Sequence, residues 1–275
     1  MQQVVKDLIA DRVRSVFNDR RHGERPVVRR DDGLFGPGSV AWKVHGDVAT
    51  MMVGGVAALL MQMLHPAVLA GVWDHSNFRN DIHGRFRRTA RFIALTTYGS
   101  RAEAEEAIER VKKVHRDVAG TLPDGTPYAA NDPGLLSWVH ATETYCFLEA
   151  WKRYVEPSMP SAERNRYFVE MSEVATRLGC HSVPKSYSST IAYMRDRRGE
   201  LDVNDRTREI VTLLLNPTGQ NFASLPLQRM ASQAAIDLLP QWARRMHGLH
   251  ASKLSRPIVH GGTVGVAGLL RWAFR

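Results

Sequence analysis

The chain has 275 residues, 44% of them hydrophobic, which is enough to bury a substantial core in one large domain or two modest ones and is unlike a disordered chain. Its formal net charge of +9 raises the question of a polyanionic partner. The basic residues are scattered in small groups, at Arg20 and Arg21, Arg29 and Arg30, Arg85 to Arg91, Arg195 to Arg198, and Arg244 and Arg245. They lack the aromatic interleaving of a single-strand binder, so no nucleic-acid partner is expected; a weak attraction to anionic membrane surfaces fits the charge better.

Two cysteines, Cys146 and Cys180, form neither a disulfide framework nor a metal-ligand spacing. They suit a reducing compartment, and the expected location is cytoplasmic with some peripheral membrane contact. The opening stretch MQQVVKDLIADRVRSVF carries Lys6, Asp7, Asp11 and Arg12 inside its apolar pattern, so it reads as an amphipathic helix rather than a signal peptide. An Arg-, Asp-, Gly- and Pro-rich loop follows and ends in GLFGPGS. These features divide the chain into residues 1–34, an N-terminal helix and basic loop, residues 35–250, a helical domain, and residues 251–275, an apolar tail.

From Val48 to Trp73 there is no Asp, Glu, Lys or Arg, which raises a membrane span. Gly54, Gly55, Gln62, His65 and Pro66 interrupt that run, and a central helix buried on all sides is the favoured reading. Asp81 is placed to cap the next helix, on which Arg85 and Thr89 lie one turn apart on the face of Phe92, Ile93 and Thr96. Ser100 with Glu103 forms a capping box opening a further helix, with Gly120 as its expected C-terminal cap. Ala104, Ile108, Val111, His115 and Val118 share one face of it, so His115 is expected to point inward.

Asp124-Gly125 marks a turn whose flanks, including Tyr128, read as a brief hairpin. Asp132-Pro133 starts a long helix to about Val155, with Leu136, Val139, His140, Glu143, Phe147 and Ala150 on one face. Ser161 is expected to cap a helix ending at Gly179. Further helical patterns run over 187–197, 205–215 and 225–247, the last with a break at Pro240. With almost no strand pattern the class is all-α.

A lone histidine on an apolar helix face is usually structural. Here His45, His65, His115, His140, Glu143, Arg85 and Thr89 all fall in segments expected to be central, and each buried polar group needs a partner. Pairing inside the core satisfies some of them; a polar ligand or cofactor in the bundle would satisfy others. There is no HExxH and no Cys/His pair, which argues against a multi-histidine metal centre. One histidine on haem iron needs no spacing rule, and a nearby arginine could pair with a propionate. A GxSxG elbow and a phosphate-binding loop are both absent.

The ordered motifs FGPGSVAW, ALLMQMLHPAV, GRFRRTARF with a following YGS, VKKVHRDVAG and YAANDPGLLSWVHAT resemble the MpaB and latex-clearing-protein family of haem oxygenases, over about residues 35–247. The resemblance implies a globin-like helical bundle around a haem b pocket, with O2 and a hydrophobic small molecule, an isoprenoid or another alkene, as substrates. It carries the family's Arg-x-x-x-Thr pair onto Arg85 and Thr89, as catalytic and haem-contacting residues, and its proximal haem ligand onto His115. Arg88, His65 and His140 are the further candidates for contact with the cofactor.

Latex-clearing members that use a distal lysine have it just before the threonine, where this chain has Arg88, a side chain with no lone pair for iron. Leu69 to Val72, near the region of those members' catalytic glutamate, has no carboxylate, so cleavage of a polymer is not expected. Two other readings stand beside the oxygenase at this point. One is a non-catalytic haem-binding protein for sensing or storage, the other a haem-free peripheral membrane protein. A monomer or a homodimer fits any of them.

Overall fold

The computed structural model describes residues 26–79, 81–216 and 225–250 as continuous stretches, with a few isolated positions outside them. The helix expected over residues 1–17 and the apolar tail lie outside those stretches. Helices dominate: α1 Val40–His45, α2 Val48–Gln62, α3 Pro66–His75, α4 Ile82–Tyr98, α5 Arg101–Arg116, α6 Pro133–Tyr154, α7 Ser161–Leu178, α8 Tyr187–Asp196, α9 Asp205–Leu215, α10 Leu225–Leu238 and α11 Gln241–Met246. The all-α class is as expected, and the hairpin is too: β1 Ala119–Thr121 pairs antiparallel with β2 Pro127–Ala129.

The apolar run at Val48 becomes two helices bent by 107° at the break between them. Pro66 occupies the first helical position of α3 and His65 caps it, so α2 ends at Gln62. Among the described residues no single helix is long and apolar enough to cross a membrane. Instead α2 packs along the long helix α6, with α10 on another side. Val53, Ala57, Leu60, Met61 and Leu64 are almost wholly buried there, in a core cluster that also takes Trp138, Cys146, Ala150 and Tyr154 from α6.

A second cluster joins α1, the C-terminal half of α4, α6 and α7 through Val44, Ile93, Phe147, Leu148, Tyr167 and Phe168. Helix α6 belongs to both, which is why its buried residues extend over most of its circumference.

The capping box at Ser100 and Glu103 forms, as do the caps at Asp81 and Asp132. Two expected ends differ. Helix α5 stops at Arg116, and Gly120 lies in β1 opposite Tyr128. A Cβ on Gly120 would stand 2.7 Å from the Tyr128 hydroxyl, so close approach of the strands accounts for this glycine rather than a helix cap. Ser161 is the first residue of α7, and Pro160 holds the cap position with no side-chain bond. The other end of α7 is as expected, with Gly179 at φ 109° in the left-handed region.

Candidate functional site

Helix α4 carries its apolar residues into both core clusters. Ile82 and Phe86 pack against the first, Phe92 and Ile93 join the second, and Arg85 and Thr89 sit on the stretch between. Apolar side chains that merged at this point would leave a guanidinium nowhere to go. Arg85 is largely buried, with its charged group 5.9 Å from the Phe78 ring centroid. Its Nε is sealed from solvent without a hydrogen-bond partner, and Arg85 forms no ion pair among the described residues. Burial, and secondarily repulsion from Arg88, bring its pKa down to about 10, so it stays charged at neutral pH.

His115 stands near the C-terminal end of α5, which packs against α4 as a helical hairpin. Its imidazole is half-buried and has no hydrogen bond among the described residues. Burial first, and the Arg85 charge second, hold its pKa below the ordinary histidine value. The fold therefore brings Arg85 and His115 within electrostatic reach of each other and keeps the imidazole neutral, with a lone pair free. A cleft of about 270 Å³ reaches His115 from the surface, lined also by Lys112, Arg116, Asn131, Leu178 and Gly179. Sequence reading missed these neighbours. Lys112 and Arg116 look like an ordinary solvated helix face, and Asn131 and Gly179 come from distant segments.

The other candidates separate into paired and unpaired groups. Thr89 is exposed, against the expectation that the whole stripe faces a core, because it lies where the two clusters do not meet. Arg88 is also exposed and reaches back to the Asp81 carboxylate at 3.4 Å. His65 is occupied by local structure. Its Nδ1 accepts the Ala67 backbone N–H at 3.3 Å, capping α3, and its Nε2 lies 3.6 Å from the Glu200 carboxylate.

His45 is paired at both nitrogens, 2.8 Å from the Thr97 hydroxyl and 2.8 Å from the Tyr167 hydroxyl. His140 and Glu143, one turn apart on α6, behave differently. His140 Nε2 is buried without a partner, and the Glu143 carboxyl meets no donor among the described residues. Burial alone pushes His140 down to about 4 and Glu143 up to about 7.

Chemically, the site offers a neutral imidazole free to ligate a metal, beside a buried cation in want of an anion. Among the described residues no three His, Cys, Asp or Glu side chains gather as a metal-binding group. A single imidazole with an arginine nearby matches a porphyrin's needs, since the macrocycle provides the remaining nitrogen ligands and its propionates the anions.

Neither the curated proteins nor the solved structures contain a significant match to the chain. The family described as "ER-bound oxygenase mpaB/B'/Rubber oxygenase, catalytic domain" matches residues 42–272. Because that match takes in every helix from α2 to α11, Arg85 and His115 with them, the chain belongs to the mpaB and rubber-oxygenase catalytic-domain family and is an oxygenase of that kind.

Proposed function

We propose that the chain is a haem-b-dependent oxygenase acting on a hydrophobic small molecule, of isoprenoid or alkene type, with His115 as the protein ligand of the haem iron. The observation that carries this reading is the juxtaposition of His115, neutral and without a protein hydrogen bond, with the buried and unpaired Arg85. A buried guanidinium without a counter-charge is costly, and a propionate carboxylate would relieve that cost. Haem, when bound, supplies the iron that takes up and activates O2.

The chain's own residues have simpler tasks. His115 stays deprotonated because it is buried beside a cation, so no proton competes with the metal for its lone pair. Arg85 holds a positive charge at the site at neutral pH, available to a propionate carboxylate if haem is bound there. Thr89, one turn from Arg85, offers a hydroxyl free to turn as donor or acceptor. Arg88, engaged by Asp81 at the exposed start of α4, contributes charge but no ligand. Leu69 to Val72 lies on α3 without a carboxylate, so the proposed substrate is a small molecule rather than a polymer.

The test is spectroscopic. Protein purified from haem-supplemented cells is expected to show a Soret band that His115→Ala loses and Arg85→Ala weakens. A band retained in full by His115→Ala would remove the ligand assignment. Oxygen uptake with a panel of alkenes then separates turnover from mere haem binding, since a carrier would release O2 unreacted.

A further inference from the structure

The corner between α2 and α3 is pinned by one imidazole. His65 stands at that 107° bend, after the end of α2 at Gln62 and immediately before Pro66, the first residue of α3. Its Nδ1 accepts the Ala67 backbone N–H at 3.3 Å, one of the donors that the first turn of a helix leaves unpaired. Its Nε2 points toward Glu200 Oε2 at 3.6 Å, beyond hydrogen-bonding distance. The cap therefore needs a deprotonated Nδ1, which puts the proton of the neutral ring on Nε2.

Charged groups face the ring from the elements around it. Arg197 ends α8, Glu200 lies in the short helical turn Arg198–Glu200, and Asp132 caps α6. Glu200 is held by Arg197, whose Nη1 lies 3.1 Å from both carboxylate oxygens. Tyr193 of α8 borders the same cluster and donates its hydroxyl to the Gly134 carbonyl at 3.3 Å. The Trp138 ring of α6 lies 6.2 Å from the imidazole, tilted by 50°. A bond that does not involve the ring, from the Asp202 N–H to the Leu64 carbonyl at 2.9 Å, keeps the segment carrying Glu200 beside the corner.

Protonation sets these contacts against one another. An imidazolium carries a proton on each nitrogen, so Nδ1–H would meet the Ala67 N–H donor against donor, with its charge at the positive end of the α3 dipole. The cap would be lost. Glu200 pulls the other way, because 3.6 Å is ion-pair distance once the ring is charged. Burial, the largest influence, lowers the His65 pKa; Glu200 counters it and Arg197 adds to it, leaving the ring below the ordinary histidine value of 6.5. The cap is therefore intact above pH 6.5 and lost as the pH falls through the folded value. With 13% of its side chain exposed, His65 is within reach of solvent protons.

We infer that His65 is an acid-sensitive latch on the α2–α3 corner: deprotonated, it caps α3; protonated, it gives up the cap for the Glu200 carboxylate and releases the first turn of α3. Leu69 and Val72, buried in the first core cluster, hold the remainder of that helix in place. The latch requires neither the iron ligand nor the substrate proposed above.

The experiment is amide hydrogen exchange of the full-length chain, read at Ala67 against Leu148 in the interior of α6, from about pH 7.5 to about pH 4.5 and corrected for intrinsic exchange. In the wild type, protection of Ala67 relative to Leu148 is expected to fall about fivefold or more on acidification. His65→Asn, whose carboxamide oxygen caps a helix at every pH, should hold the ratio constant, and His65→Ala should keep it low throughout. Glu200→Gln removes the anion that receives the imidazolium and should move the midpoint of the fall to lower pH. Glu200 lies largely at the surface, so this variant keeps the test decisive if substitution at His65 prevents folding. A wild-type ratio that does not change over the range, an equal fall in His65→Asn, or an unmoved midpoint in Glu200→Gln would overturn the latch.

Discussion

Three histidines, one buried and two half-buried, show how the same residue type takes different tasks. His45 is held between Thr97 and Tyr167, with its ring also set edge-on to Phe147 at 5.5 Å between centroids. His65 caps a helix. His115 has neither kind of partner and lies beside a buried cation. The distinction yields a prediction: Tyr167→Phe removes one partner of His45 without changing the shape of the core, leaving a buried ring nitrogen unsatisfied. The expected loss is about 1–3 kcal/mol of stability, read from urea denaturation, with the Soret band of the surviving native protein unchanged. An unaltered urea midpoint would mean that the hydroxyl contributes nothing, and a lost Soret band would place His45 in the haem site.

Among the elements, α2 and α6 approach each other with little slack at one point and more at the next. A Cβ on Gly54 would stand 2.8 Å from Phe147 Cδ1 and 3.1 Å from the Cys146 carbonyl oxygen, whereas one on Gly55 would meet only Phe147 Cε1, at 3.9 Å. Alanine favours a helix interior over glycine by about 1 kcal/mol, so intrinsic propensity predicts that both substitutions stabilise. Packing reverses the sign at the first position. Gly54→Ala is expected to destabilise by about 1–3 kcal/mol through overpacking, and Gly55→Ala to be neutral or to stabilise by up to about 1 kcal/mol. Thermal denaturation of the two variants side by side decides it, and equal shifts would show that α2 can move away from α6 at no cost.

The whole molecule buries several groups in their uncharged form, and its stability therefore depends on pH. His45 and His140 have folded pKa values of about 3 and about 4, below the ordinary 6.5. As pH falls below 6.5 the unfolded chain takes up protons there and the native chain does not, so their contribution is intact above 6.5 and lost progressively toward the folded values. Glu143 runs the other way. Its pKa is raised from 4.5 to about 7, so its contribution is complete below 4.5 and lost as pH rises through about 7.

Between pH 4.5 and 6.5 two histidines oppose one carboxyl, and burial also lowers His65, His115 and His247. Stability should fall on acidification from pH 7.5 to 5.5, and Glu143→Gln should make that fall steeper by removing the opposing slope. Urea midpoints at the two pH values read both effects; a midpoint that rises on acidification would contradict the assignment of neutral buried histidines.

Much of this architecture is written locally. Asp81, Ser100 with Glu103, and Asp132-Pro133 set helix starts because a capping side chain needs only the next three residues, and Asp124-Gly125 sets a turn for the same reason. Pro66 divides the apolar run of residues 48–73 because a ring without an N–H cannot continue α2. The motifs around Arg85, Thr89 and His115 were enough to indicate the family.

Local signals misled where the reason for a residue lay elsewhere in the chain. Gly120 looked like a helix cap and instead makes room for Tyr128. The stripe containing Thr89 looked wholly buried, but two core clusters meet α4 on either side of that position and leave it exposed. Above all, periodicity put His45, His65, His140 and Glu143 inside without telling paired groups from unpaired ones. That difference is made by Thr97, Tyr167 and Glu200, residues that reach their partners only when distant helices pack, and so the sequence by itself determined which polar groups enter the bundle while the tertiary structure decided which remain free for a ligand.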